Sequence, residues 1–235
     1  MTLDNLTRLK EKRSSERAEL DRLLDEELVG TLATVTTDGR RPWAVPMLYA
    51  RDGDRLLLHG STGAGALRQV AAGTEAVLAV HAIDALVLAT SLFEHSANYR
   101  SAVVRGALQQ LTGDEAVDAL DRISDVIVPG RRAELRGHLK KELVATVALA
   151  LDITDDNWLL KVSDQDVDEE LDVIPDDVWT GILPIHRSYG EPVRSPWLPA
   201  DLPAPPSVIS LRDAGPQRRG QPRGQPRGQR SGTNR

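Results

Sequence analysis

Two Asp-Gly dipeptides, Asp38-Gly39 and Asp52-Gly53, punctuate the first sixty residues, each between short β-prone runs. Glycine accepts the left-handed backbone of a tight hairpin turn, so these pairs predict antiparallel strands and exclude a parallel βαβ unit at this end of the chain. Gly30 to Thr37 alternates apolar and hydroxyl residues, as a half-buried strand does. Pro42 to Tyr49 is the return strand. Pro42 and Pro46 cannot donate ladder hydrogen bonds, so this strand is expected at an edge, bulged, or facing a ligand. Arg55 to His59 is the third strand, Thr74 to His81 the fourth, Ala85 to Ser91 the fifth and Ser101 to Leu111 the sixth. Six strands so close together predict a small antiparallel barrel or sandwich.

Helices flank this unit. Ser14 or Ser15 can cap a helix over Glu16 to Glu27, with Leu20, Leu23, Leu24 and Leu28 on one face. Thr112-Gly-Asp-Glu115 has the pattern of a capping box. The helix it opens turns Val117, Leu120, Ile123 and Ile127 inward and stops at Pro129-Gly130. Arg131 to Arg136 is a short basic helix, read first as a solvated face. Glu142 to Ile153 is a seventh strand, Trp158 to Lys161 an eighth, and Val178 to Ile185 is again β-like. The acidic stretch Asp164 to Asp177 lacks the glycine and terminal Glu of a calcium-binding loop, and reads as solvated with no metal site.

Composition narrows the class. With 3% aromatic residues among 235, the core must be Leu, Val, Ala and Ile. The absence of cysteine removes disulfides, thiolate metal sites and cysteine catalysis, and suits a reducing compartment. No apolar run reaches the length of a membrane span, and the first residues carry no apolar signal core. A cytoplasmic protein without membrane partners is expected. The net charge is −6, yet residues 218–235 hold six Arg and no acid, leaving −12 on the rest. Nucleic acid is therefore an unfavourable partner except through that tail, and an anionic ligand must be held by local donors. The chain divides into a flexible N-terminus (1–14), one domain (15–190), a Pro-rich extension (191–214) and a low-complexity Arg/Gly/Gln/Pro tail (215–235) expected to be disordered.

Two stretches carry candidate chemistry. Gly60-Ser-Thr-Gly-Ala-Gly65 precedes an expected helix at 66–72. Small residues at a helix start admit a phosphate to backbone N–H groups, and Arg68 can add charge. It is not a Walker A loop, because the Gly-Lys-Ser/Thr ending is missing. His95-Ser-Ala-Asn-Tyr-Arg-Ser101 packs an imidazole, hydroxyls, an amide, a phenol and a guanidinium at the mouth of a strand. His59 and His95 are the candidate catalytic residues of these motifs, since imidazole transfers protons near neutral pH.

The ordered set Gly30-Thr-Leu-Ala-Thr-Val, Val45-Pro46, Leu58-His-Gly-Ser61, Asp84-Ala-Leu-Val-Leu-Ala89, His95-Ser-Ala-Asn-Tyr-Arg-Ser101, Lys141-Glu-Leu-Val-Ala-Thr146 and Val178-Trp-Thr-Gly-Ile-Leu-Pro184 resembles the pyridoxamine 5′-phosphate oxidase-related family, in its flavin-nucleotide-binding, nitroimidazole-resistance-like branch. The resemblance covers residues 15–190 and implies a mainly β (α+β) split antiparallel barrel with peripheral helices. It also implies a homodimer with FMN at the interface and a flavin-dependent oxidoreductase acting on a small molecule, nitro compounds included. The alternatives it leaves are a non-catalytic flavin-, haem- or deazaflavin-binding module, and an interaction protein working through the tail. By the same resemblance the backbone of Val45, Pro46, Met47 and Leu48 lies along the flavin ring. His59, Gly60, Ser61, Thr62, Gly65 and Arg68 hold ribityl and phosphate, and Asn98, Tyr99, Arg100 and Ser101 approach the cofactor or the interface. The sequence departs from the family at Asp84-Ala85, where relatives have Asp-Gly, at Thr90, where a basic residue is common, and in having only Arg68 near the phosphate loop.

Overall fold

The computed structural model describes residues 12–35, 41–63, 67, 73–165 and 177–215. The Asp38-Gly39 turn, the helix expected at 66–72 apart from Leu67, most of the acidic stretch and the Arg-rich tail lie outside them.

The first half runs β1 (Arg13–Ser14), α1 (Arg17–Glu26), β2 (Val29–Val35), β3 (Pro42–Asp52), β4 (Arg55–Ser61), β5 (Glu75–Leu88), β6 (Ser96–Ala107) and β7 (Gln109–Leu111). The second half runs α2 (Gly113–Ile127), a 3₁₀ turn (Arg131–Glu134), α3 (Lys140–Val144), β8 (Thr146–Asp152), β9 (Trp158–Ser163), β10 (Gly181–Pro184) and α4 (Pro206–Ala214). All pairings are antiparallel, in the order β1-β9-β6-β5-β2-β3-β4-β8-β7, with β10 on β5.

The barrel is split at β3. Residues 42–48 pair only with β2, from Val35↔Pro42 to Val29↔Leu48. From Tyr49↔Leu58 onward β3 pairs with β4. Both prolines fall in the segment paired on one side, as the missing donors require. At the hand-over Tyr49 is fully buried and its hydroxyl donates to the Leu24 carbonyl at 2.7 Å, tying the split to α1. Burial raises its pKa well above the usual phenol range.

The main core lies between the two halves. Leu20, Leu23 and Leu24 of α1 meet Leu32, Leu56, Leu58, Leu78, Val104, Leu149 and Leu160. Each such leucine contributes about 2 kcal/mol on burial. Leu28 is only half buried. A smaller core lies on the other face of β4 and β8, where Leu57, Ala148 and Ala150 pack under Ala119 and Ile123 of α2.

Four sequence expectations need correction. The fourth and fifth strands are one strand, β5, with a bulge at Asp84 where the register to β6 shifts between Ile83 and Ala85. The bulge lies between the segment paired with β2 and the segment paired with β10, so one strand serves two partners. The polar run 96–100 belongs to β6 itself rather than to its mouth. Thr112 stands at the N-cap of α2 but makes no side-chain cap bond. Residues 140–144 are helical before β8 starts at Thr146, and there Glu142 accepts from the Leu139 N–H at 2.9 Å.

Candidate functional site

Antiparallel pairing alternates which residues turn their N–H toward the neighbour. The Tyr49 N–H donates to the Leu28 carbonyl, which sets the phase of β3. Trp43, Val45 and Met47 therefore turn their N–H groups into the β2 ladder, while positions 42, 44, 46 and 48 turn outward. With proline at 42 and 46, the outward donors of this segment are the N–H groups of Ala44 and Leu48, interleaved with outward carbonyls. The side chains of Trp43, Val45 and Met47 pack on the core, and Leu48 stays 41% exposed.

Past the Tyr49↔Leu58 pair, β3 follows β2 while β4 follows β8, so the two strands diverge. Val45–Leu48 and His59–Thr62 are thus the two segments that continue past the last β3–β4 pair, one on β2 and the other along β8. At Gly60 a Cβ would stand 2.0 Å from Cδ1 of the buried Leu67, so a larger residue there requires that side chain to shift. Ser61 Oγ accepts from the Gly63 N–H at 3.1 Å, and the N–H and hydroxyl of Thr62 both donate to the Ala145 carbonyl, at 3.0 and 3.3 Å. The Thr62 donors are thus engaged inside the protein. His59 is half buried, its Nδ1 is shielded from solvent and has no hydrogen-bond partner among the described residues, and burial lowers its pKa. A neutral ring is the form this environment favours. Gly65 and Arg68 lie outside the described residues.

The motif on β6 lies elsewhere, three strand spacings or about 14 Å from β3. Its side chains alternate between faces. Asn98 is buried and acts as a mock peptide: Nδ2 donates to the Gln165 carbonyl at 2.8 Å and Oδ1 accepts from the Gln165 N–H at 2.7 Å. Arg100 grips both Asp84 oxygens, at 2.9 and 2.7 Å, and Glu26 Oε2 at 2.5 Å. These hydrogen bonds hold its pKa above the ordinary guanidinium value. Both residues line a cleft of about 410 Å³ with Glu27 and Arg187, themselves ion-paired at 2.5 Å. The guanidinium already has its anions, so Arg100 has little left for a phosphate. His95 is exposed in the turn before β6 and its Nδ1 donates to the Ser91 carbonyl at 2.6 Å, which leaves Nε2 as the acceptor of a neutral ring.

Tyr99 and Ser101 face outward. There β2, β3, β5 and β6 present Val29 (48% exposed), Leu48, Ile83 (49% exposed) and His81. His81 has no hydrogen-bond partner among the described residues and was not singled out by any sequence motif. A histidine alternating in phase with exposed apolar residues was the signal that could have found it. Lys12 lies over the Tyr99 ring, 5.9 Å from its centroid.

An open edge with backbone donors, beside an exposed apolar face, fits a planar heterocycle with a polar rim. The family model for pyridoxamine 5′-phosphate oxidase matches residues 16–157. The chain belongs to this family. Among solved structures, a FAD- and haem-binding protein from Mycobacterium smegmatis is 42% identical, with TM-score 0.76, over 86% of this chain and 97% of that one. The flavocytochrome Anf3 from Azotobacter vinelandii shares the fold at TM-score 0.80 and 22% identity, over 90% of this chain and 97% of that one. A putative 5-nitroimidazole antibiotic resistance protein from Bacteroides thetaiotaomicron shares it at TM-score 0.54 and 16% identity, over 64% and 86%. A search among curated proteins gives no match. The split barrel of the family is thus present, with the sheet broken at β3. Among the described residues no helix is long and apolar enough to cross a membrane, and no cluster of acids and histidines forms a metal site.

Proposed function

We propose that this member of the pyridoxamine 5′-phosphate oxidase family is a flavin- and haem-binding redox protein, with the flavin ring along the open edge of β3. The observation that carries the reading is that edge: Ala44 and Leu48 offer outward N–H groups between outward carbonyls, and no strand among the described residues pairs with them. A flavin, when bound, supplies the electron transfer, and the protein supplies orientation and exclusion of water. Ala44 and Leu48 would hold the polar rim, and the residues around Gly60 would receive the ribityl chain. The FAD- and haem-binding relative at 42% identity favours FAD over the FMN expected from sequence, and favours haem over deazaflavin. Oxidoreductase action on a small molecule remains the reading for the loaded protein. A homodimer is proposed through the outer face, because large apolar side chains exposed together mark an interface.

The test is the absorption spectrum of the purified protein with mass spectrometry of the released ligand. Flavin bands with a released mass of FAD support the reading, and FMN would correct its cofactor. No flavin after purification, and unchanged flavin fluorescence on titration with FAD and FMN, overturns it. Light scattering in solution checks the dimer.

A further inference from the structure

Five histidines could in principle ligate haem iron, and the fold sorts them. His59 is half buried, with Nδ1 lacking a partner among the described residues, and stands where the ribityl chain is proposed to lie. His138 Nε2 is held by Asp121 at 2.7 Å. His95 stands on a turn, and His186 lines the charged cleft among Glu26, Arg100 and Arg187. His81 alone projects from the middle of a sheet face, exposed and without a partner among the described residues.

Its surroundings follow from register. One row across the sheet pairs His81 with Ser101, Ser101 with Lys161, and Lys161 with Arg13. Continuing the β2–β5 register by two residues from Thr31↔Ala79 brings Val29 level with His81, and Val29 pairs with Leu48. The imidazole therefore stands between an apolar half, where Val29, Leu48 and Ile83 are each more than 40% exposed, and a cationic half. Lys161 lies two strands away, about 10 Å at ordinary strand spacing. A flat tetrapyrrole with an apolar body, a central iron and carboxylates at one rim matches such a surface term by term. Neutral imidazole is the common proximal ligand of haem, and no cysteine competes for the role. Small Ala79 and Ser101 beside the ring leave room for a macrocycle to lie close to the sheet.

We propose that His81 is the axial ligand of a haem lying on the outer face of the β2–β5–β6–β9 sheet, with Lys161 pairing its carboxylates. The proposal rests on the haem part of the function above. His81 and Leu48 are two strands apart, so the residues that would hold the haem adjoin those that would hold the flavin.

The experiment titrates haemin into the full-length protein, its flavin content checked separately, and reads the Soret band and the electron paramagnetic resonance signal. The wild type should give a histidine-ligated spectrum. His81→Ala should lose most of the Soret shift while keeping flavin and fold, and added imidazole should restore it. Lys161→Glu should raise the haemin concentration needed for half-saturation about tenfold without changing the spectrum. An unaltered spectrum in His81→Ala, or its loss instead in His95→Ala or His186→Ala, overturns the assignment. If His81→Ala changes the association state and leaves the haemin spectrum unaltered, His81 serves only the proposed dimer and the assignment fails. A wild type that takes up flavin but no haemin refutes the haem function itself, a result distinguishable from ligand misassignment.

Discussion

The polar motif on β6 and the apolar segment of β3 have exchanged roles relative to their appearance. On β6, the conspicuous side chains Asn98 and Arg100 are consumed by the fold: one completes a ladder with Gln165, the other neutralises Glu26 and Asp84. On β3, a bland segment of Pro, Ala, Val and Leu leaves backbone groups open and apolar surface exposed. A side chain with all its partners in place cannot offer them to a ligand. A backbone with none on one side can.

Arg100 gives the largest effect with which to break this contrast. Glu26 is 9% exposed at its side chain, and Oε1 already lacks a partner among the described residues. Arg100→Met would strand this carboxylate in the protein. The expected loss is about 3 kcal/mol in urea unfolding, and Glu26→Gln in the same chain should recover part of it. Flavin affinity of the folded fraction should be nearly unchanged. Loss of flavin with intact stability would mean that Arg100 serves the ligand and that the contrast is wrong.

Proline scanning of β3 sharpens the same contrast within one strand. Ala44→Pro and Leu48→Pro remove outward N–H groups, so they should weaken flavin binding about tenfold each with little change in stability. Val45→Pro removes an N–H that serves β2, and should cost about 1–3 kcal/mol of stability as the Leu32 carbonyl loses its donor. Equal behaviour of the three variants in flavin titration and thermal unfolding would dismiss the deduced phase. Tyr49→Phe is a smaller probe of the hand-over. It deletes the 2.7 Å bond to the Leu24 carbonyl and should cost about 1 kcal/mol by urea unfolding, leaving flavin binding intact.

Much of this architecture was legible because it is written in local chemistry. Prolines forced residues 42–48 to an edge, the Leu20/Leu23/Leu24 stripe fixed the inner face of α1, and Asp52-Gly53 made its turn with Gly53 at φ 59°. Long-range matters were not legible. The Asp84 bulge exists because β5 must serve β2 and then β10, and no local signal in the sequence announces a change of partner. Arg100 could not be read as engaged, since its anions come from α1 and β5, 74 and 16 residues away. At His81 the local signal is only its alternation with exposed residues of β5, and its setting comes from neighbours on β2, β3, β6 and β9.

His59 provides the smallest effect and the finest distinction. Its ring is half buried at the end of β4, and desolvation lowers its pKa from the ordinary histidine value. In the unfolded chain the ring takes up a proton below about pH 6.5, while in the folded chain it stays neutral to lower pH. The unfolded state thus binds more protons in that window, so stability is full above the unfolded pKa and declines as pH falls toward the folded one. His59→Gln should flatten this part of the curve, measured as the difference in Tm between pH 7.5 and pH 5.5 relative to wild type. A bound flavin covering this end of β4 should deepen the wild-type decline, because it keeps the ring further from water. If saturating flavin leaves the slope unchanged while His59→Gln abolishes it, the imidazole is a buried structural group remote from the cofactor.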